Sequence, residues 1–216
     1  MLKLILIFAL SFIAISCSNY KIHRSINKQI VKMHFEEQNI RRKVHFASTK
    51  TDVDSIYITE LRKDYEVIHR NNEAYIKEVF DKFGWPKWQS SNAFGGTYLI
   101  IYHSNADMMD QSIPYLKKKI SKGVYKWNQH LVAQLEDRIR MLRGQKQIYG
   151  TDFRWLYYED GTRKAFIWPV EDPNQLDYLR STVKLAPLDK FLKKKHNKFI
   201  TYDPTLTISD FELYSN

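Results

Sequence analysis

Residues 128–151 read NQHLVAQLEDRIRMLRGQKQIYGT. Leu131, Val132, Leu135, Ile139 and Leu142 recur at the three-and-four spacing of one helix face, and Gly144 stands where a helix needs a left-handed stop. The pattern predicts a helix over 128–143 that runs directly into a loop at 145–151. Asp137 falls opposite the apolar stripe with Arg138 beside it, a position that suits either a pocket wall or a solvated face.

The flanking segments predict more helix. Residues 59–83 carry helical periodicity, with Leu61, Tyr65 and Ile68 on one face and Ile76, Val79, Phe80 and Phe83 on a later stripe. Asn72 suits the cap of a second helix there. Gly84-Trp85-Pro86 ends it, glycine giving the left-handed stop and proline barring continuation. Residues 87–96 read as a loop closed by Gly95-Gly96. The run TYLIIYH at 97–103 fits a buried strand or a buried helix equally well by periodicity. Residues 107–122 look helical, with Pro114 forcing a kink or a late start. An aromatic-rich β-hairpin is expected over 153–168, turning at Glu159-Asp160-Gly161-Thr162. Residues 174–192 follow as helix, interrupted by Pro187. The expected fold is therefore mainly α, a compact helical domain with one small hairpin.

Composition supports a packed core. The chain has 216 residues, 44% of them apolar and 14% aromatic, with only seven Gly and six Pro, which excludes collagen-like and low-complexity classes. Residues 1–17 read MLKLILIFALSFIAISC. The apolar run at 4–15 is too short to span a bilayer, which takes about 20 residues, and fits the h-region of a secretory signal. Ala14-Ile15-Ser16-Cys17 resembles the lipobox of bacterial lipoproteins, which implies cleavage before Cys17 and diacylation of its sulfur. The expected organisation is a signal peptide at 1–16, a lipidated N-terminus and tether at 17–58, a helical domain at 59–195 and a tail at 196–216. Residues 18–58 show a weak apolar pattern, read as irregular or partly helical, with Val44, Phe46, Val53, Ile56 and Ile58 as material for a short strand.

Cys17 is the single cysteine, so no internal disulfide is available. Removing residues 1–16 takes Lys3 with it and leaves 33 basic and 24 acidic side chains, a net +9. For an exported, lipid-anchored chain this excess points to a solvated surface or anionic headgroups, and nucleic acid is not expected. Ser18-Asn19 lacks an acidic run after the cysteine, which favours a periplasm-facing anchor in the cell envelope.

Several short boxes stand in order along the chain. They are Gly84-Trp85-Pro86, then His103 with Asp107 and Gln111, then Asp137-Arg138, then Gln147 with Tyr149-Gly150-Thr151. Pro169-Val170-Glu171-Asp172-Pro173, Arg180, Leu185 and Pro187-Leu188 follow. Across residues 65–195 this series resembles the bacterial family known as domain of unknown function 6624. The resemblance implies a mostly helical, often exported domain without an assigned activity, and it favours helix at 97–104. The chain departs from the family at Tyr102 and at Asp152, where the family usually has Gln.

The polar residues of these boxes are the candidate ligand-binding set: His103, Asp107, Gln111, Asp137, Arg138, Gln147, Tyr149 and Thr151. On a continuous helix His103, Asp107 and Gln111 share one face, which suits an oriented base, half a metal site or a satisfied core histidine. A zinc centre needs three or four ligands, and beyond His130 and Glu136 nothing offers them, so no metal or cofactor is expected. Arg138 suits a bidentate grip on an anion or an ion pair tying its helix to the 145–151 loop. No nucleophile elbow, phosphate loop or dinucleotide box is present, so no established enzyme class is supported. Three functions remain. The first is an envelope protein binding a polar ligand or protein partner in a cleft of His103, Asp137, Arg138 and Tyr149. The second is an envelope hydrolase, metal-assisted or not, using His103, Asp107 and Arg138. The third is a basic interaction or immunity-type protein.

Overall fold

The computed structural model describes residues 2–48, 54–85, 90–121, 129–194 and 197–213. It is mainly helical with one small three-stranded sheet. The chain forms two compact units, Met1–Ser104 and Asn105–Asn216.

The first unit is built on helices α1 (Leu2–Ser48), α2 (Ser55–Phe83) and α3 (Ser91–His103). The segment read as irregular or partly helical, with material for a short strand, is helical through Ser48 and again from Ser55. Val44 and Phe46 lie in α1, Ile56 and Ile58 in α2, and Val53 lies outside the described residues. The reason is a seam along α1: His23, Ile26, Ile30, Met33, Glu37, Ile40 and Ala47 are buried, with Val44 half-buried between the last two. This is the alternating three-and-four spacing of a coiled-coil stripe. Ile40 and Ala47 pack on Leu61 of α2, and the rings of His23 and Phe83 meet edge to face. The two helices therefore run antiparallel.

Asp54 caps α2 by accepting the Ile56 N–H. Asn72 caps nothing; it lies buried in the middle of one continuous helix. Gly84 ends α2 as expected, at φ 63°. Trp85 then turns inward against Phe80 and Phe94.

The expected loop up to Gly96 is helical from Ser91, and Ser90 caps it by accepting the Ala93 N–H. Gly96 is an approach point, not a turn. A Cβ there would sit 2.9 Å from the His34 Cβ on α1. Residues 97–103 are thus helical, the alternative implied by the family resemblance.

The second unit begins with α4 (Ala106–Ser121), which Asn105 caps through the Met108 N–H. Pro114 stands inside α4, so the helix does not start late. Helix α5 (Gln129–Leu142) packs on α4 and ends at Gly144, φ 65°. The hairpin β1 (Phe153–Tyr157) and β2 (Arg163–Ile167) pairs antiparallel. A third strand, β3 (Ile200–Thr201), adds parallel to β2. Helices α6 (Leu176–Thr182) and α7 (Leu188–Leu192) flank Pro187, and α8 (Ile208–Leu213) occupies part of the expected tail. Two apolar clusters hold this unit. One gathers Ala165, Ile167, Val170, Leu176, Leu188 and Ile200; the other packs Phe211 of α8 against Trp168, Phe166, Leu156 and Met141.

Candidate functional site

The site grows from Asp137. Helix α5 buries residues on both sides, so the position opposite its apolar stripe is interior: Asp137 is fully buried. A buried carboxylate is costly unless donors saturate it. Here Oδ1 accepts the N–H groups of Ile148 (2.8 Å) and Tyr149 (3.0 Å), and Oδ2 accepts the N–H and hydroxyl of Thr151 (2.9 and 2.8 Å). Burial pushes this carboxyl above the ordinary aspartate range, and the donors on Tyr149, Ile148 and Thr151 pull the other way.

Two further side chains clamp the same loop. Gln147 is fully buried. It donates through Nε2 to the carbonyls of Asp152 (2.9 Å) and Trp168 (2.8 Å) and accepts the Asp152 N–H (2.7 Å). Its backbone bridges to Val170 through Pro169 and Glu171. Arg180 is buried beneath the loop and donates Nη1 to the Tyr149 carbonyl (2.7 Å) and Nε to Ala186 (2.7 Å). Gly150 adopts φ 59° between them, a left-handed conformation that glycine accepts without strain.

Arg138 pairs with Asp152 at 2.8 Å, so Asp152 holds the counter-charge for this arginine. The Asp137-Arg138 pair and Gln147, Tyr149 and Thr151 therefore do come together.

What the clamped loop presents is Tyr149. Its half-buried side chain lines a cavity of about 400 Å³ with Lys117, Gln129, Val132, Glu136 and Thr182. Lys117 and Glu136 form an ion pair there at 2.9 Å. Burial, with the charges of Glu136 and Asp137, pushes the Tyr149 hydroxyl up from its ordinary range.

The expected His103, Asp107 and Gln111 face does not exist as one helix. His103 is the last residue of α3, Ser104 ends it in extended backbone, and Asp107 lies in the first turn of α4. Asp107 is exposed and bonds Arg143, which also pairs with Asp110. Gln111 is exposed on α4. His103 belongs to the first unit, where its Nε2 meets the guanidinium of Arg41. Among the described residues no group of three or more His, Cys, Asp or Glu is placed to hold a metal.

The first unit also holds polar residues that sequence reasoning missed. Glu37 is buried in the α1 seam, accepting from Asn72 Nδ2 (2.7 Å) and facing His69 Nδ1 (3.2 Å). Burial pushes the Glu37 carboxyl up, but the bonds from His69 and Asn72 and the charges of His69 and His103 together hold it below its ordinary range. The bond to Glu37 raises His69 against the opposing effect of burial, and the backbone of His103 adds to the rise. The seam spacing from Ile26 to Ala47 was the available signal; it places Glu37 at a core position.

Among the described residues no helix is long and apolar enough to cross a membrane. No curated protein and no solved structure matches the chain. A family model does match, over residues 24–200, and so takes in the seam of α1 as well as the Tyr149 loop. The chain belongs to that family, a family of unknown function (DUF6624).

Proposed function

We propose that this chain is a bacterial lipoprotein of the cell envelope, anchored by acyl chains on Cys17 and facing the periplasm, whose second unit binds a small polar ligand over Tyr149. The observation that carries the binding reading is the clamped loop beside a cavity. Asp137, Gln147 and Arg180 spend their polar groups on holding residues 147–152, which gives Tyr149 a fixed place. Sites held by supporting hydrogen bonds bind at a lower ordering cost. The cavity has the size of small-molecule sites, about 300–1,000 Å³. Its wall combines apolar Val132 and Ile120 with the polar ends of Lys117, Glu136 and Tyr149.

The hydrolytic reading receives less support. It needs an acid or base beside His103, and Asp107 is bound to Arg143 in the solvent-exposed first turn of α4. The basic-surface reading also receives less support, because Lys117 pairs with Glu136 and Lys193 with Asp189.

The test uses the purified chain and a panel of cell-wall stem peptides and glycan fragments, read by thermal shift. A ligand that raises the unfolding midpoint of the wild type, but not of Thr182→Trp or Tyr149→Ala, is the expected result. A ligand whose effect survives both variants, or no ligand at all, rejects the Tyr149 site. The anchor is tested separately by the mass of the protein recovered from membranes, which should carry acyl chains that Cys17→Ser abolishes.

A further inference from the structure

The first unit places a guanidinium where no carboxylate answers it. Arg41 lies one turn beyond Glu37 on α1 and is half-buried. Glu37 is committed to His69 and Asn72, and the polar contact of Arg41 is the Nε2 of His103 at the end of α3. Among the described residues no Asp or Glu lies within ion-pair distance of Arg41. A guanidinium carries a permanent charge and five N–H donors in a planar fork. The imidazole of His103 brings no negative charge to it in either protonation state. His69, held by Glu37 and hydrogen-bonded to the backbone of His103, adds further positive character next to this pair. A half-buried cation of this kind is stabilised by an anion that completes the fork.

We propose that Arg41 and His103 form a binding site for the oxyanion end of a ligand, a carboxylate or a phosphate group. The site is separate from the Tyr149 cavity and does not depend on it. Arg41 donates two parallel N–H bonds to the anion. His103 turns from acceptor to donor at Nε2, taking a proton from solvent or shifting one from Nδ1. The positive character of His69, bonded to Glu37, offsets the charge of that carboxylate beside the site. The Tyr102 ring packs edge-on against the His103 imidazole.

The experiment follows the imidazole nitrogens of the full chain, labelled with nitrogen-15 at histidine, during separate titrations with inorganic phosphate and with acetate at constant pH and ionic strength. A saturable change of His103 Nε2 from acceptor to donor is expected. Saturation by phosphate alone marks a phosphate-bearing ligand, and saturation by acetate alone a carboxylate-bearing one. Arg41→Gln should weaken binding about tenfold or more, and Arg41→Lys should fall between it and the wild type. Arg42→Gln, which removes a neighbouring exposed charge, should leave binding unchanged. No saturable change at His103 with either anion overturns the site, whether or not the Arg41 variants fold. Equal weakening by Arg42→Gln and Arg41→Gln overturns it too, since it reduces the effect to general charge.

Discussion

The guanidinium of Arg180 donates through one nitrogen to the carbonyl oxygens of both Tyr149 (2.7 Å) and Gly150 (3.2 Å), from a helix some thirty residues downstream. Its Nε reaches Ala186 beyond that helix, and its flat face lies over Phe191. Lysine cannot reproduce this fork. Arg180→Lys should therefore lower stability by about 2 kcal/mol through orphaned carbonyls, with a matching fall in the midpoint of thermal or urea unfolding. A variant within 0.5 kcal/mol of wild type, roughly the scatter of neutral surface changes, would show that the loop holds without it.

Asp137 is the complementary clamp, acting on N–H groups where Arg180 acts on carbonyls. Asp137→Asn keeps the shape but turns one acceptor into a donor aimed at backbone N–H groups. The expected loss is about 3 kcal/mol, the range for hydrogen bonds to a buried charged group. Hydrogen exchange at Ile148, Tyr149 and Thr151 should accelerate in the variant more than exchange in the β1–β2 hairpin. Uniform acceleration would mean that Asp137 supports the whole unit and not the loop.

The paired glycines of α3 offer a sharp contrast. A Cβ at Gly95 meets nothing within 4 Å, whereas one at Gly96 meets His34 Cβ at 2.9 Å. Gly95→Ala should stabilise by about 0.5–1 kcal/mol through helix propensity. Gly96→Ala should destabilise by about 1–3 kcal/mol through overpacking between α1 and α3. Chemical unfolding of the two single variants checks the pair, and equal effects would contradict the close approach.

The Glu37 and His69 pair sets a pH window. His69 titrates above its ordinary value of about 6.5, so its contribution is complete below that pH and is lost as pH rises through the folded value. Glu37 titrates below its ordinary value of about 4.5, so its contribution is complete above that pH and is lost as pH falls through the folded value. Both act together between about 4.5 and 6.5. His34 and Arg41 on α1, Tyr65 and Glu73 on α2 and His103 on α3 share the surroundings, so the variant difference is the clean readout. The stability lost in His69→Gln should be larger at mildly acidic pH than above the folded value of His69. A difference that stays flat with pH would rule out the charged pair.

Legibility in the sequence tracked the kind of signal each element carried. Helix α5, its stop at Gly144, the Gly84 stop and the β1–β2 hairpin rest on short-range periodicity and turn chemistry, and all were readable. Helix α1 was readable only as a partly helical segment, because His23 and Glu37 occupy two of its core positions and break the apolar count. The start of α3 was hidden for the opposite reason: Gly95-Gly96 looks like a turn, while Gly96 is small because another helix passes it. The pairing of β3 with β2 joins Ala165 to Ile200, a contact that no local pattern encodes. At the site, the meeting of Asp137-Arg138 with the 145–151 loop was one of two readings the sequence allowed. The full burial of Asp137 was not foreseeable, since a polar residue opposite an apolar stripe reads as solvent unless a second layer covers it. His103 stood out in the sequence as a polar residue of a motif box, while its partner Arg41 lies upstream of residues 65–195, where the resemblance was read.

The clamps on the Tyr149 loop grip main chain. Asp137 takes the N–H groups of residues 148, 149 and 151, and Arg180 takes the carbonyls of 149 and 150, so the loop's path is specified without reference to the side chains at 148 and 149. Shape and chemical identity are thereby uncoupled at this point of the chain. Ile148 and Tyr149 can be exchanged for other residues while the loop keeps its course, so the same scaffold can display a different recognition surface without being rebuilt.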